Sequence, residues 1–158
     1  MVTPDDIITA LHDVRDPEIP GISVVDLGVI TDVTVSDAGK VNVQMTPTFV
    51  GCPAIEVMKS DVQKRLAEFG DVSVVVNFDI PWDSNRITER GLLALKKHGL
   101  APPPRYEVEF ELDILENIAC PFCGSTNTTV QTPFGPTLCR SIHYCNSCSQ
   151  AFEQFKPL

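Results

Sequence analysis

Apolar residues fall into short periodic runs separated by proline and glycine. Ile7, Leu11 and Val14 recur at helical spacing, with Ile8 widening the stripe. Thr3 precedes Pro4, and Asp5 and Asp6 follow it, which supplies an N-cap, a first-turn proline and acids at the positive end of a helix dipole. The pattern predicts a helix from Pro4, ended by the loop Asp16-Pro17-Glu18-Ile19-Pro20-Gly21. Two alternating runs, 29–35 and 41–45, flank Ser36-Asp37-Ala38-Gly39-Lys40 and read as a β-hairpin. A second helix is expected from Pro53, with Ile55, Met58, Val62, Leu66 and Phe69 on one face and Gly70 as its C-cap. Residues 72–78 are apolar and β-branched and are expected to form an inner strand. A third helix is expected over 87–98, capped from Ser84 or Thr88 and closed by Gly99.

The order is α-β-β-α-β-α. Ala101-Pro102-Pro103-Pro104 then interrupts it, because consecutive prolines cannot continue a helix and favour a stiff extended spacer. Three parts are expected: a compact domain over 1–100, a Pro-rich linker over 101–104, and a strand leading into a cysteine-rich module over 105–158. The fold class is α+β, a small three-stranded sheet with helices, plus a C-terminal zinc-ribbon β-hairpin module. No internal repeat or low-complexity segment interrupts this plan.

Length and charge narrow the function. The 158 residues can bury a core, with 43% hydrophobic and 21% charged residues. No stretch approaches about 18 uninterrupted apolar residues, which excludes a membrane-spanning helix. Acids stand near the N-terminus where a signal peptide needs a basic region, so a cytoplasmic location is expected. The net charge of −9 argues against a nucleic-acid partner, whose phosphates are bound by lysine and arginine. From Arg105 onward the basic residues are Arg105, Arg140 and Lys156, against six acids.

Cysteine carries the chemistry. Of six cysteines, four form two CxxC pairs, Cys120 with Cys123 and Cys145 with Cys148, separated by 21 residues. Each pair can offer two thiolates from one tight turn, and two pairs close a tetrahedral site with no open position for catalysis. A structural zinc ribbon is the expected reading; rubredoxin-like iron or an iron–sulfur cluster is the alternative that thiolates also permit. His143 and Cys139 are expected on the intervening hairpin, Cys139 as a small buried residue.

Cys52 lies apart, in Thr46-Pro47-Thr48-Phe49-Val50-Gly51-Cys52-Pro53 between a strand and a helix. With Pro53 at the first helical position, Cys52 would be the N-cap, where the helix dipole stabilises a thiolate. Such a sulfur can act as a nucleophile or a labile iron ligand, or simply close the loop. Asp16, Glu18 and Asp26 form an acidic loop constellation that either caps turns or positions a metal or the Cys52 loop. Trp82 is expected to pack rather than to stack on a base.

These segments match a known family. DPEIPGISVVDLGVI, TPTFVGCP, Trp82 and ITERG resemble the small domain of cytosolic iron–sulfur targeting factors and SufT-type proteins. CPFCGS, FGPTLCR, CNSCSQAF and the terminal FKPL resemble the D subunits of bacterial phenylacetyl-CoA epoxidase, the ring-epoxidising monooxygenase of phenylacetate breakdown. The resemblance implies an iron–sulfur assembly fold and an accessory, non-catalytic role in installing or repairing the [2Fe–2S] cluster of the reductase component. It maps the reactive cysteine to Cys52, the DPE signature to Asp16, Pro17 and Glu18, the DLG signature to Asp26, Leu27 and Gly28, and the threonine loop to Thr46 and Thr48. The implied cofactors are structural zinc at Cys120, Cys123, Cys145 and Cys148, and transient iron or an iron–sulfur cluster. The implied partners are the reductase and oxygenase subunits, general iron–sulfur assembly proteins and a second copy of the chain, since one cysteine cannot hold a cluster alone. Other readings are an integral structural subunit of the monooxygenase, and a thiol oxidoreductase in which Cys52 attacks and Cys139 resolves.

Overall fold

The computed structural model describes residues 1–105 and 115–157. The strand expected directly after the proline run lies largely outside the described residues. Two compact units are present: Met1–Trp82 with Arg86–Gly91, and Asp83–Asn85 with the described residues from Leu92 onward. Among the described residues, no helix is long and apolar enough to cross a membrane.

In the first unit α1 (Pro4–Leu11) starts as its sequence dictates. The Thr3 hydroxyl accepts from the Asp6 N–H while the Asp6 carboxylate accepts from the Thr3 N–H at 2.9 Å, a reciprocal capping box. Ile7 and Leu11 are fully buried. Val14 is also buried, but in a tight turn beyond the helix, where its N–H reaches the Leu11 carbonyl at 3.1 Å.

The hairpin β1 (Ile30–Val35) and β2 (Val41–Met45) is antiparallel, with Val33 opposite Val43. Its turn closes through Ser36 N–H to the Lys40 carbonyl at 2.9 Å, with Gly39 at φ +80°. After α2 (Ala54–Leu66) and a single 3-10 turn, β3 (Val72–Val76) pairs with β2 in parallel, giving the order β1-β2-β3. Residues 72–78 were expected to be an inner strand, yet among the described residues β3 is an edge and β2 holds the centre. The hairpin fixes β1 on one side of β2, so the returning chain can take only the other side. Val41, Val43 and Met45 of β2 and Met58, Val62 and Leu66 of α2 are fully buried and form the core with α1.

The loop between α1 and β1 packs against the segment before α3 (Glu89–Lys97). The Trp82 indole N–H donates to the Leu27 carbonyl at 2.9 Å, and the ring is buried, in keeping with a packing role. Two glycines permit this approach. A Cβ on Gly28 would lie 2.6 Å from the Arg86 carbonyl oxygen, and one on Gly91 would lie 2.5 Å from that of Asp26.

The second unit carries a four-stranded sheet ordered β4-β7-β6-β5, from β4 (Leu100–Ala101), β5 (Thr128–Thr132), β6 (Arg140–Cys145) and β7 (Gln150–Phe155). β5 and β6 form the antiparallel hairpin expected between the two CxxC pairs, and β7 returns antiparallel beside β6.

Gly91→Ala is expected to lower unfolding stability by about 1–3 kcal/mol, the usual cost of overpacking. Gly28→Ala adds to this its backbone strain at φ +77°. Gly39→Ala, where nothing lies within 4 Å, should cost about 1 kcal/mol from backbone strain alone. Urea unfolding of the three variants measures the difference.

Candidate metal centre and the Cys52 loop

The two CxxC turns are built alike. Gly124 N–H donates to the Cys120 carbonyl at 2.8 Å, and Ser149 N–H donates to the Cys145 carbonyl at 2.9 Å. Both donors have positive φ, +76° at Gly124 and +59° at Ser149. Each turn therefore folds the chain back so that its two sulfurs point the same way. The turns are stapled together by Ser125 and Ser147, whose hydroxyls meet at 2.7 Å, and by Asn146 N–H on the Asn127 carbonyl at 2.9 Å.

The Sγ atoms of Cys120, Cys123, Cys145 and Cys148 all lie within 4.8 Å of one another. Cys120 meets Cys148 at 3.8 Å and Cys123 meets Cys145 at 3.5 Å. Four thiolates around one ion at the zinc–sulfur distance stand about 3.8 Å apart, so the donor set fits a single tetrahedral metal. Burial differs around the group: Cys120 and Cys145 are buried, Cys148 is half-buried and Cys123 is exposed. The Cys148 backbone N–H is foremost in pulling the Cys145 thiol down to about 7. Loss of solvent, with the neighbouring sulfurs, pushes Cys148 up to about 12. A cation at the centre would favour the thiolate at all four.

His143 does not join this group. Its ring is buried, accepts or donates at Nε2 with the Ser141 hydroxyl at 2.8 Å, and stacks on Phe152 at 5.4 Å. Cys139 is buried as expected, with its sulfur 3.0 Å from the Thr137 hydroxyl.

Cys52 stands on the loop from β2 to α2. The helix hydrogen bonding begins at Ala54, with Pro53 at the N-cap and no side-chain capping bond. Cys52 is therefore one residue before the cap, not the cap expected from sequence. The reason is local: Pro53 has helical dihedrals, φ −69° and ψ −24°, but the Cys52 carbonyl accepts a long bond from Ile55 N–H at 3.4 Å, three residues on, so the regular ladder starts one residue later. Cys52 is half-buried, and its sulfur makes no hydrogen bond among the described residues. Gly51 at φ +82° turns the chain there, and Val50 beside it is 80% exposed. Thr46 and Thr48 are buried, and the Thr46 hydroxyl lacks a hydrogen-bond partner among the described residues.

The acidic residues take three different positions. Asp16 is buried, and its Oδ1 accepts from the N–H groups of Glu18 at 2.7 Å and Ile19 at 2.8 Å, while Glu18 is exposed. Asp26 is 5% exposed, and three side chains hydrogen-bond its carboxylate. Oδ2 accepts from the Ser23 hydroxyl at 2.8 Å and from Arg90 Nε at 2.9 Å, and Arg90 Nη2 completes the ion pair at 2.9 Å; Oδ1 accepts from the Thr88 hydroxyl at 2.8 Å. His12 Nδ1 lies 3.6 Å from Oδ2 and 3.2 Å from the Ser23 hydroxyl. Burial works to raise the Asp26 pKa, but the hydrogen bonds from Arg90, Ser23 and Thr88 outweigh it and hold the carboxyl below its ordinary value. The sequence reading did not pick out Ser23, Thr88 and Arg90 as partners of Asp26. Their signal was Thr88 before a helix and an arginine in its first turn, and neither names a carboxylate more than 60 positions away.

Comparison with known proteins covers both units. Residues 4–77 match the family model described as iron-sulfur cluster assembly protein, and residues 108–156 match the PaaD zinc beta ribbon domain. A protein of Escherichia coli (strain K12), provisionally named as one of the subunits of 1,2-phenylacetyl-CoA epoxidase, is 33% identical over 92% of this chain and 88% of its own length. The Fe-S protein maturation auxiliary factor YitW of Bacillus subtilis is 33% identical over 58% of this chain and 91% of its own length. A solved DUF59 domain from Bacillus anthracis superposes with a TM-score of 0.55 at 30% identity, over 58% of this chain and 90% of that one.

Cys120→Ser is expected to abolish a single bound metal equivalent and the cooperative unfolding of the ribbon, because binding at such a site is coupled to folding. Cys52→Ser should retain that equivalent. Metal analysis with circular dichroism of anaerobically purified protein checks both outcomes.

Asp26 gives a pH dependence. A folded pKa below the ordinary 3.8 means that its stabilisation is complete above that value and is lost as pH falls through the lowered one. Asp26→Asn should cost about 1–3 kcal/mol at pH 7 and flatten the acid limb of stability below pH ~4. Urea midpoints measured from pH 7 to pH 2 give the test.

Proposed function

Because this chain belongs to the iron–sulfur cluster assembly family, in the form that carries a C-terminal PaaD zinc ribbon, we propose that it is an accessory maturation factor of a phenylacetyl-CoA epoxidase system. In this reading it assists insertion or repair of an iron–sulfur cluster, or of iron, in the reductase component, and it does no catalysis of its own. The observation that carries the reading is the pairing of both modules, in the same order, over 92% of the chain in the Escherichia coli relative.

The residues divide the work. Iron or a cluster is cargo, and Cys52 is the residue that meets it. Cys52 is half-buried with no side-chain hydrogen bond to break among the described residues, and exposed Val50 beside it offers an apolar contact to a client. The Thr46 hydroxyl behind this loop is buried and has no partner among the described residues, so a shift of the loop on meeting a client would be needed to engage it. One sulfur cannot complete a cluster's ligand set, so the remaining ligands come from the client, and transfer is favoured over storage. Asp16 shapes its own loop through two backbone N–H groups, Asp26 anchors the start of α3, and Glu18 lies at the surface.

The four ribbon cysteines hold zinc in a closed site. With every coordination position occupied by sulfur, that ion orders the module and supports docking to the reductase or oxygenase. None of the six cysteines is in a disulfide, which suits a reducing cytoplasm.

The test is complementation of cells that lack this chain. Cys52→Ser is expected to lower the reductase's cluster content, read by its visible absorbance and electron paramagnetic resonance, by several-fold while the protein stays folded. Full cluster content with Cys52→Ser would sink the cysteine mechanism.

A further inference from the structure

The two edges of the β1-β2-β3 sheet are finished differently. β1 carries a register shift between Ile30 and Asp32 and a carboxylate within the strand, both of which interrupt pairing with a further strand. β3 has neither. Its sequence, Val72-Ser73-Val74-Val75-Val76, holds no charge, no proline and no bulge, and Val75 is 49% exposed. Among the described residues, β2 is its one neighbour.

The backbone states which groups the free edge offers. At the two ends of the parallel ladder, Val41 N–H donates to the Asp71 carbonyl at 2.9 Å and Asn77 N–H donates to the Met45 carbonyl at 3.0 Å. Bonding alternates along a strand, so Ser73 and Val75 also turn their amides towards β2. Val72, Val74 and Val76 turn theirs outward.

We propose that a second copy of this chain pairs with β3 along this edge, antiparallel, about a two-fold axis at Val74. Val74 then exchanges N–H···O bonds with Val74 of the second copy, and Val72 does so with Val76, in both directions. All three outward residues are satisfied. The same register sets half-buried Val72 against half-buried Val76 on the face that carries buried Val74. On the other face Ser73 lies opposite Val75, and Asp71 lies opposite Asn77, so no like charges meet. A slip of two residues either way leaves one outward valine facing Gly70 or Phe78. An extended segment of another protein could complete the backbone bonds, but this side-chain match is one the strand makes with itself. The interface is isologous and closes as a dimer, in a continuous six-stranded sheet.

This surface is independent of Cys52. β2 and β3 run in parallel, so the loop that leads to Cys52 leaves the sheet at the end where β3 reaches Val76. The two-fold axis sends those ends in opposite directions, and the pairing brings no second sulfur to Cys52.

Sedimentation of the full chain over a range of concentrations, with amide hydrogen exchange, tests the proposal. A dimer is expected, with exchange at Val72, Val74 and Val76 slowing as concentration rises. Ser73→Lys with Val75→Lys, which sets like charges opposite one another on both sides of the axis, should weaken dimerisation about tenfold or more. Thr34→Lys on β1 and Cys52→Ser should leave it unchanged, with circular dichroism confirming that each variant is folded. A monomer at every concentration, a dimer unaffected by the paired lysines, or protection of β3 only when a different protein is added would each overturn it. Failure here leaves the Cys52 reading standing, and failure of cluster delivery leaves the dimer standing.

Discussion

A buried carboxylate must find donors, and in the first unit that requirement organises the chain. Asp26 is 5% exposed, and an unpaired charge there would cost several kcal/mol. Its donors come from two places: Ser23 in the same turn, and Thr88 and Arg90 at the start of α3. Satisfying one side chain therefore fixes the turn, the entry to α3 and the segment that contains Trp82. Gly28 and Gly91 are the steric condition for the same contact, because a Cβ at either would meet backbone at 2.6 Å or less. The DLG and ITERG segments are two halves of one clasp.

The second unit meets a different constraint. Its core around the cysteines is small, with Ala101, Cys120, Cys145 and Phe152 buried together. A module of this size gains too little from apolar burial to order itself, and metal cross-linking is the usual remedy. The sulfurs already stand at the separation one ion requires, and two matching turns with serine and asparagine staples hold them there. A closed site of this kind offers structure and surface, which leaves reactive chemistry to Cys52. The division of labour follows from coordination: four sulfurs leave no vacancy, whereas a lone sulfur leaves nearly the whole ligand set to a partner.

Much of this plan was legible in the sequence. The capping box at Thr3, the hairpin around Gly39, the apolar face of α2 from Ile55 to Leu66 and the two CxxC turns all depend on residues close together in the chain, and each forms where its pattern points, although α2 stops at Leu66 and leaves Phe69 and Gly70 to a 3-10 turn. Reading the place of Cys52 as the N-cap was out by one residue, because the Cys52 carbonyl is taken by a three-residue turn to Ile55 and the regular ladder starts after it. Taking residues 72–78 for an inner strand failed for a different reason. A run of valines reports that a strand is apolar, but not how many neighbours it has.

Sequence alone determined most of the elements and the four-sulfur donor set, because periodicity, caps and cysteine spacing are local properties that need no knowledge of the fold; its motifs, by their resemblance, pointed to the family. Tertiary structure alone decided what Asp26 does, since its partners Thr88 and Arg90 lie 62 and 64 positions away. It also decided that β2 is central and that the bare edge belongs to β3. Both outcomes rest on which surfaces meet, and that choice is made by packing and by the need to satisfy buried polar groups across the whole unit.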